Sequence, residues 1–170
     1  TTSESKCILE VKDLKVWFPI KRGFLKRTKG YIKAVNNISF NINKNETLGI
    51  VGESGSGKTS VALAILKLIK SEGIIFFQNH NIRQLSNVEN LWFRRNAQII
   101  FQDPYGSLSP KMTIEEIIGE GLDIHERHDK TVRHEMICKV LSEVGLEKNM
   151  VSRFPHEFSG GQRQRIAIAR

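Results

Sequence analysis

Gly52, Gly57, Lys58 and Thr59 occupy the fixed positions of G-x-x-x-x-G-K-[ST]. The run reads Gly52-Glu53-Ser54-Gly55-Ser56-Gly57-Lys58-Thr59, with Ser60 following. Glycines at these places let successive backbone N–H groups turn inward and form a concavity for phosphate oxygens. A helix starting near Lys58 would add the positive end of its dipole. Lys58 would then reach the β- and γ-phosphates, and the Thr59 hydroxyl would be a ligand of Mg2+. The plainer alternative is a glycine-rich turn that carries a surface lysine. The match at every fixed position favours a nucleotide phosphate site.

Such a loop needs a strand before it and a helix after it. Thr47–Val51 (TLGIV) is a short, nearly continuous apolar run, of the kind found in strands buried on both faces. SVALAILKLI, after the loop, is apolar almost all round and predicts a buried helix. Upstream, Ile8–Val16 and Asn36–Ile42 alternate apolar and polar residues, as half-buried antiparallel strands do. Gly73–Gln78 and Ala97–Phe101 are further strand candidates, with a short helical piece around Glu89–Arg95 between them. Beyond Phe101 the pattern turns helical. Thr113 to Glu116 reads as a capping box, and Ile114, Ile117, Ile118 and Leu122 form one helical face. A second helix is predicted over about Lys130–Val144, with Gly145 as its C-terminal stop. A third should begin near Gly160 and continue to Arg170.

The 170 residues, 39% hydrophobic and 26% charged, suit one globular domain or most of one. No apolar run approaches the roughly 20 residues that span a bilayer, and the first residues lack a secretory apolar region. A soluble, intracellular chain is expected. Cys7 and Cys138 lie far apart and outside any metal-binding spacing, so free thiols are expected. The net charge of +8 invites a nucleic-acid reading, but Lys21–Lys33 holds six basic residues and no acid. The rest of the chain is nearly balanced and shows no basic stripe along a helix. A solvated basic loop, a loop near anionic lipid headgroups and nucleic-acid contact all remain open for that stretch.

Two further stretches narrow the family. Phe101-Gln102-Asp103-Pro104 closes a predicted strand, and Phe158-Ser159-Gly160-Gly161-Gln162-Arg163-Gln164-Arg165 opens a predicted helix. Together with the phosphate loop, in this order and spacing, they make the chain resemble the nucleotide-binding domain of ATP-binding cassette (ABC) transporters over its whole length. Within that family, FPIKRG, VGESGSGK, FQDPYGSLSPKMTIEEIIGEGL and FSGGQRQRIAIAR are most similar to the oligopeptide and dipeptide importer ATPases. The second half of tandem subunits serving microcin C-type peptide importers looks closest.

The resemblance implies an α/β fold: a P-loop (RecA-like) core with an N-terminal antiparallel β subdomain and an α-helical subdomain. It places the β subdomain and Walker A core in residues 1–102, the helical subdomain in 103–158 and the signature helix in 159–170. It implies that Phe18 stacks on adenine, with Trp17 as the rival stacker. Gln102 matches the Q-loop glutamine, which ligates Mg2+ and senses the attacking water. Ser159, Gly160, Gly161 and Gln162 match the signature that contacts the γ-phosphate held by an opposite domain. ATP and Mg2+ are the implied cofactors, and a second ABC ATP-binding domain in a head-to-tail dimer is the implied partner. Transmembrane permease subunits are the other implied partners, and nucleic acid is not expected. The implied location is cytoplasmic, peripheral on the inner face of the cell membrane.

Two departures from the family pattern are conservative: Phe158 stands where Leu is commoner, and Lys-Thr-Ser replaces Lys-Ser-Thr. A larger departure is that the Walker B Asp, the catalytic Glu and the switch His find no match here. All five histidines precede the signature. The chain is therefore expected to lack the C-terminal part of the core, as a truncated or split product, and to bind nucleotide without turnover. Rival functions are a soluble ABC ATPase of translation or DNA repair and a non-catalytic remnant module.

Overall fold

The computed structural model describes residues 7–22, 27–102, 106, 108–125 and 129–170. The chain divides into two units, residues 1–98 and 99–170.

The first unit is built on a four-stranded antiparallel sheet in the order β2-β1-β3-β4. Strands β1 (Cys7–Arg22) and β2 (Arg27–Asn43) form a long hairpin, and β3 (Glu72–Phe77) and β4 (His80–Asn81) extend the other side. The buried residues of β1 are Leu9 and Val11, then Leu14 and Val16, so the two-residue alternation slips once between them. The pairing register shifts at the same place, where Asp13 has φ 49 and its N–H donates to Ser39 Oγ at 2.8 Å. The bulge keeps both apolar pairs on one face. Gly73 fits against it: a Cβ there would stand 2.6 Å from the carbonyl oxygens of Lys12 and Asp13. The turn between β3 and β4 has Gln78 and Asn79 both at positive φ, which matches the right-handed twist of a tight hairpin.

Helix α1 (Lys58–Ile65) lays Val61 and Ala64 on this sheet, against a core that includes Val16, Val35, Ile75 and Phe77. Helix α2 (Asn87–Asn96) adds the fully buried Phe93. Each such large apolar side chain contributes roughly 2 kcal/mol. A capping box formed by Ser86 and Glu89 starts α2.

The second unit is helical: α3 (Ile114–His125), α4 (Lys130–Glu143) and α5 (Gly160–Ala169), with short 3-10 turns at Lys148–Met150 and Pro155–Glu157. Its core joins Ile114, Ile117 and Ile118 of α3 to Ile137 and Leu141 of α4 and Ile166 of α5. The main-chain N–H groups that α3 cannot satisfy internally are taken up by the turn below it. Ile114 N donates to Arg153 O, and Glu115 N to Val151 O, both at 2.9 Å. Arg133 clamps α4 to α3 through a paired bond to both Asp123 oxygens, at 2.8 and 3.0 Å. The Asp123 carboxylate holds the Arg133 guanidinium further toward its charged form.

Two expected strands are absent. Thr47–Val51 and Ala97–Phe101 pair with nothing among the described residues, and Val51 is 92% exposed. A run buried on both faces needs flanking strands and two covering layers. None of the described residues supplies them, so Ile50, Ile100 and Phe101 also face outward. Both cysteines are free thiols, Cys7 half-buried and Cys138 buried.

Candidate functional site

The phosphate loop runs from Gly52 into the first turn of α1. Gly57 caps that helix at φ 95, the left-handed region that side chains rarely adopt. A Cβ on Gly57 would overlap the carbonyl oxygen of Ala34 and touch Val35 Cγ2 at 3.5 Å. Strand β2 therefore buttresses the start of the helix through its backbone. Gly55 is also left-handed, at φ 82, and Ser56 N donates to Glu53 O at 3.2 Å to close the turn. No acidic residue stands in the first turn of α1, so its N-terminal dipole has no negative side chain to complement it.

Lys58 turns back over the loop. Its Nζ donates to the carbonyl oxygens of Glu53 at 2.6 Å and Gly52 at 2.9 Å, with Ser56 Oγ at 3.4 Å. An ammonium carries three donors, and here all three point into loop oxygens. Thr59 is exposed beside it, and Ser60 is half-buried. The loop from Gly52 to Ser56, including Glu53 and Ser54, is open to solvent.

Among the aromatics, Phe18 is 41% exposed on β1, opposite Ile32. Trp17 is engaged: Tyr31 lies 6.1 Å away, tilted by 50°, and the Lys33 ammonium sits 4.6 Å from the ring centre.

Gln102 is exposed at the start of the second unit. Asp103 and Pro104, quoted with it from the sequence, lie outside the described residues. Ser159 caps α5 in the same unit. Its Oγ accepts from Gln162 N at 3.4 Å, while Gln162 Oε1 accepts from Ser159 N at 2.9 Å. Phe158 beside them is buried in the helical core, so an aromatic ring fills that apolar place. Arg163 Nε donates to Phe158 O at 2.9 Å, and Arg165 Nη1 to Gly145 O at 3.1 Å, which ties α5 to the segment ending α4. Gly161 has nothing within 4 Å of where a Cβ would stand. No packing among the described residues demands glycine there.

The first unit thus gathers Gly52 to Ser60 around Ala34 and Val35, and the second gathers Ser159 to Gln162 at one helix start. The role of Ala34 had no signal in the sequence, because its contact with the loop is a main-chain oxygen. Groups of three or more His, Cys, Asp or Glu side chains able to hold a metal are absent among the described residues. The hydroxyl of Thr59 and the amide of Gln102 are hard oxygen donors of the kind Mg2+ takes alongside phosphate and water.

The profile of the family described as ABC transporter matches residues 35–170. The chain belongs to this family. It is 49% identical over 164 residues to the peptidoglycan transport ATP-binding protein YejF of Agrobacterium fabrum, covering 96% of this chain and 30% of YejF. It is 44% identical to the oligopeptide transport ATP-binding protein AppF of Bacillus subtilis, covering 100% of this chain and 52% of AppF. This ABC chain thus spans about a third to a half of these relatives. Among solved structures, it resembles the dimeric ATP-binding cassette MJ0796 bound to ADP and Pi, at TM-score 0.76 and 28% identity. That likeness covers 95% of this chain and 67% of the MJ0796 chain. The ABC ATPase cassette is therefore its fold. No helix among the described residues is long and apolar enough to cross a membrane.

Proposed function

We propose that the chain is the nucleotide-binding part of an ABC importer for peptides, which couples ATP binding and hydrolysis to transport. The observation that carries this reading is the phosphate loop. Its glycines adopt left-handed turns at the start of a helix with no acid in its first turn, in a chain 44% identical to an oligopeptide transport protein.

In this reading Gly52, Gly55 and Gly57 shape the loop, and its main-chain N–H groups hold the phosphates. Lys58 leaves the loop carbonyls to pair with the β- and γ-phosphates. Thr59 and Gln102 ligate Mg2+, and Glu53, Ser54, Ser56 and Ser60 complete the nucleotide-binding residues of the loop and helix start. Phe18 stacks on adenine, a role favoured by its open ring beside the engaged Trp17. Residues 1–102 act as the β subdomain and Walker A core, 103–158 as the helical subdomain that docks on permease subunits, and 159–170 as the signature helix. Ser159, Gly160, Gly161 and Gln162 face the ATP of a second ABC domain in a head-to-tail dimer. The open space beside Gly161 suits the close approach of that phosphate. The assembly works on the cytoplasmic, inner face of the cell membrane.

Affinity capture of the tagged full-length protein from its own cells tests the reading. Recovery of transmembrane permease subunits is expected. Recovery of ribosomes or DNA in their place would contradict it.

A further inference from the structure

We propose that the cavity beside the C-terminal end of α1 binds a planar ligand that carries at least two negative charges, at a site separate from the phosphate loop. The cavity holds about 690 Å³ and lies wholly within the first unit. That is the size range of small-molecule sites. Residues 52–60 contribute nothing to its lining.

The lining has two kinds of surface. Ala64, Ile75 and Ile82 form a buried apolar floor, and Trp17 and Tyr31 supply aromatic walls. Around them stand Lys15, Lys67, Lys70 and Arg83, against the single carboxylate of Glu72. None of these four cations has a carboxylate partner among the described residues. Two are held by neutral groups: Lys67 Nζ donates to Asn90 Oδ1 at 2.7 Å, and Arg83 Nη2 to Ser71 Oγ at 3.0 Å. Such bonds fix the charged heads without neutralising them.

One local cost points the same way. Lys67, just past the C-cap of α1, has φ 60, in the left-handed position after a helix that is usually given to glycine. The cap is otherwise regular, with Lys67 N donating to Ala64 O at 3.1 Å and Leu68 N to Leu63 O at 2.9 Å. A lysine is thus kept where glycine would be less strained. Clustered cations without carboxylate partners select for negative charge.

Calorimetric titration of the full-length protein with naphthalene-1,5-disulfonate, at saturating MgATP, tests the site. Saturable binding near one equivalent is expected, weakened about tenfold or more by Lys67→Gln with Arg83→Gln. It should also weaken severalfold between about 0.05 and 0.5 M salt, a readout that needs no variant. Lys58→Ala, titrated without nucleotide, should bind the disulfonate as the unaltered protein does. No saturable heat, competition by MgATP, or an affinity indifferent both to salt and to the two substitutions would overturn the proposal.

Discussion

The ammonium of Lys58 lies 2.6 Å from the carbonyl oxygen of Glu53, folded back over the loop that precedes its own helix. A positive charge at a helix N-terminus is opposed by the dipole, and the carbonyls of Gly52 and Glu53 offset that repulsion. On the proposed function, an incoming phosphate would offer the ammonium stronger acceptors and the helix start a negative charge. The lysine is thus placed to exchange one set of oxygens for another by rotation of its side chain.

Gly57→Ala should break the loop. The new Cβ would overlap the Ala34 carbonyl and must adopt φ 95. A left-handed alanine costs about 1 kcal/mol before the overlap is counted. Thermal melting should show a clear loss of stability, and MgATP affinity should fall at least tenfold. An unchanged melting curve would mean that β2 does not brace the loop.

Gly161→Ala should separate folding from assembly. Nothing stands within 4 Å of the added methyl, and alanine is the better helix former by roughly 0.5–1 kcal/mol. The variant should melt at the same temperature or higher, yet lose ATP-dependent dimerisation of the full-length protein by light scattering. Ser159→Asp makes the complementary case, because aspartate caps a helix as well as serine does. Stability should hold while the added charge repels the partner's phosphate. Normal dimerisation in both variants would remove the signature from the interface.

Phe18→Ala should weaken MgATP binding more than Trp17→Ala does. The ring of Phe18 is open, whereas Trp17 packs with Tyr31 and Lys33. Loss of one stacking ring predicts about a threefold to tenfold weaker affinity. The reverse order in a calorimetric comparison would assign adenine to Trp17.

Acid should loosen α3. The main-chain N–H of Thr113, and then its hydroxyl, hold the Glu116 carboxyl below its ordinary 4.5. A carboxyl with a depressed folded value stabilises the fold above its unfolded value, and that contribution fades as pH falls through the folded one. Melting temperature should therefore drop below about pH 4.5, and the drop should be shallower in Glu116→Gln, which keeps an acceptor for the box. Equal slopes would show that the box carries no pH dependence.

Much of this architecture was readable because local chemistry set it. Thr113 and Glu116, and Gly145, mark their helix ends in the sequence and do so in the structure, and the helix expected near Gly160 starts there. The bulge at Asp13 left a faint signal, since the consecutive polar residues Lys12 and Asp13 break the alternation of Ile8–Val16 between Val11 and Leu14, where the register slips. Thr47–Val51 and Ala97–Phe101 misled for a different reason. Their composition specifies burial between layers, but a strand exists only with a partner, and the described residues provide none. The contact of Gly57 with Ala34 was invisible because any residue at position 34 presents the same main-chain oxygen.

The most direct test of the nucleotide site is calorimetric titration of the protein with MgATP, beside Lys58→Ala. Saturable binding near one equivalent, lost or weakened at least a hundredfold in the variant, is expected. Binding that survives Lys58→Ala unchanged would place the nucleotide elsewhere, and no binding by the unaltered protein would contradict the assignment of Gly52 to Ser60 as a phosphate loop.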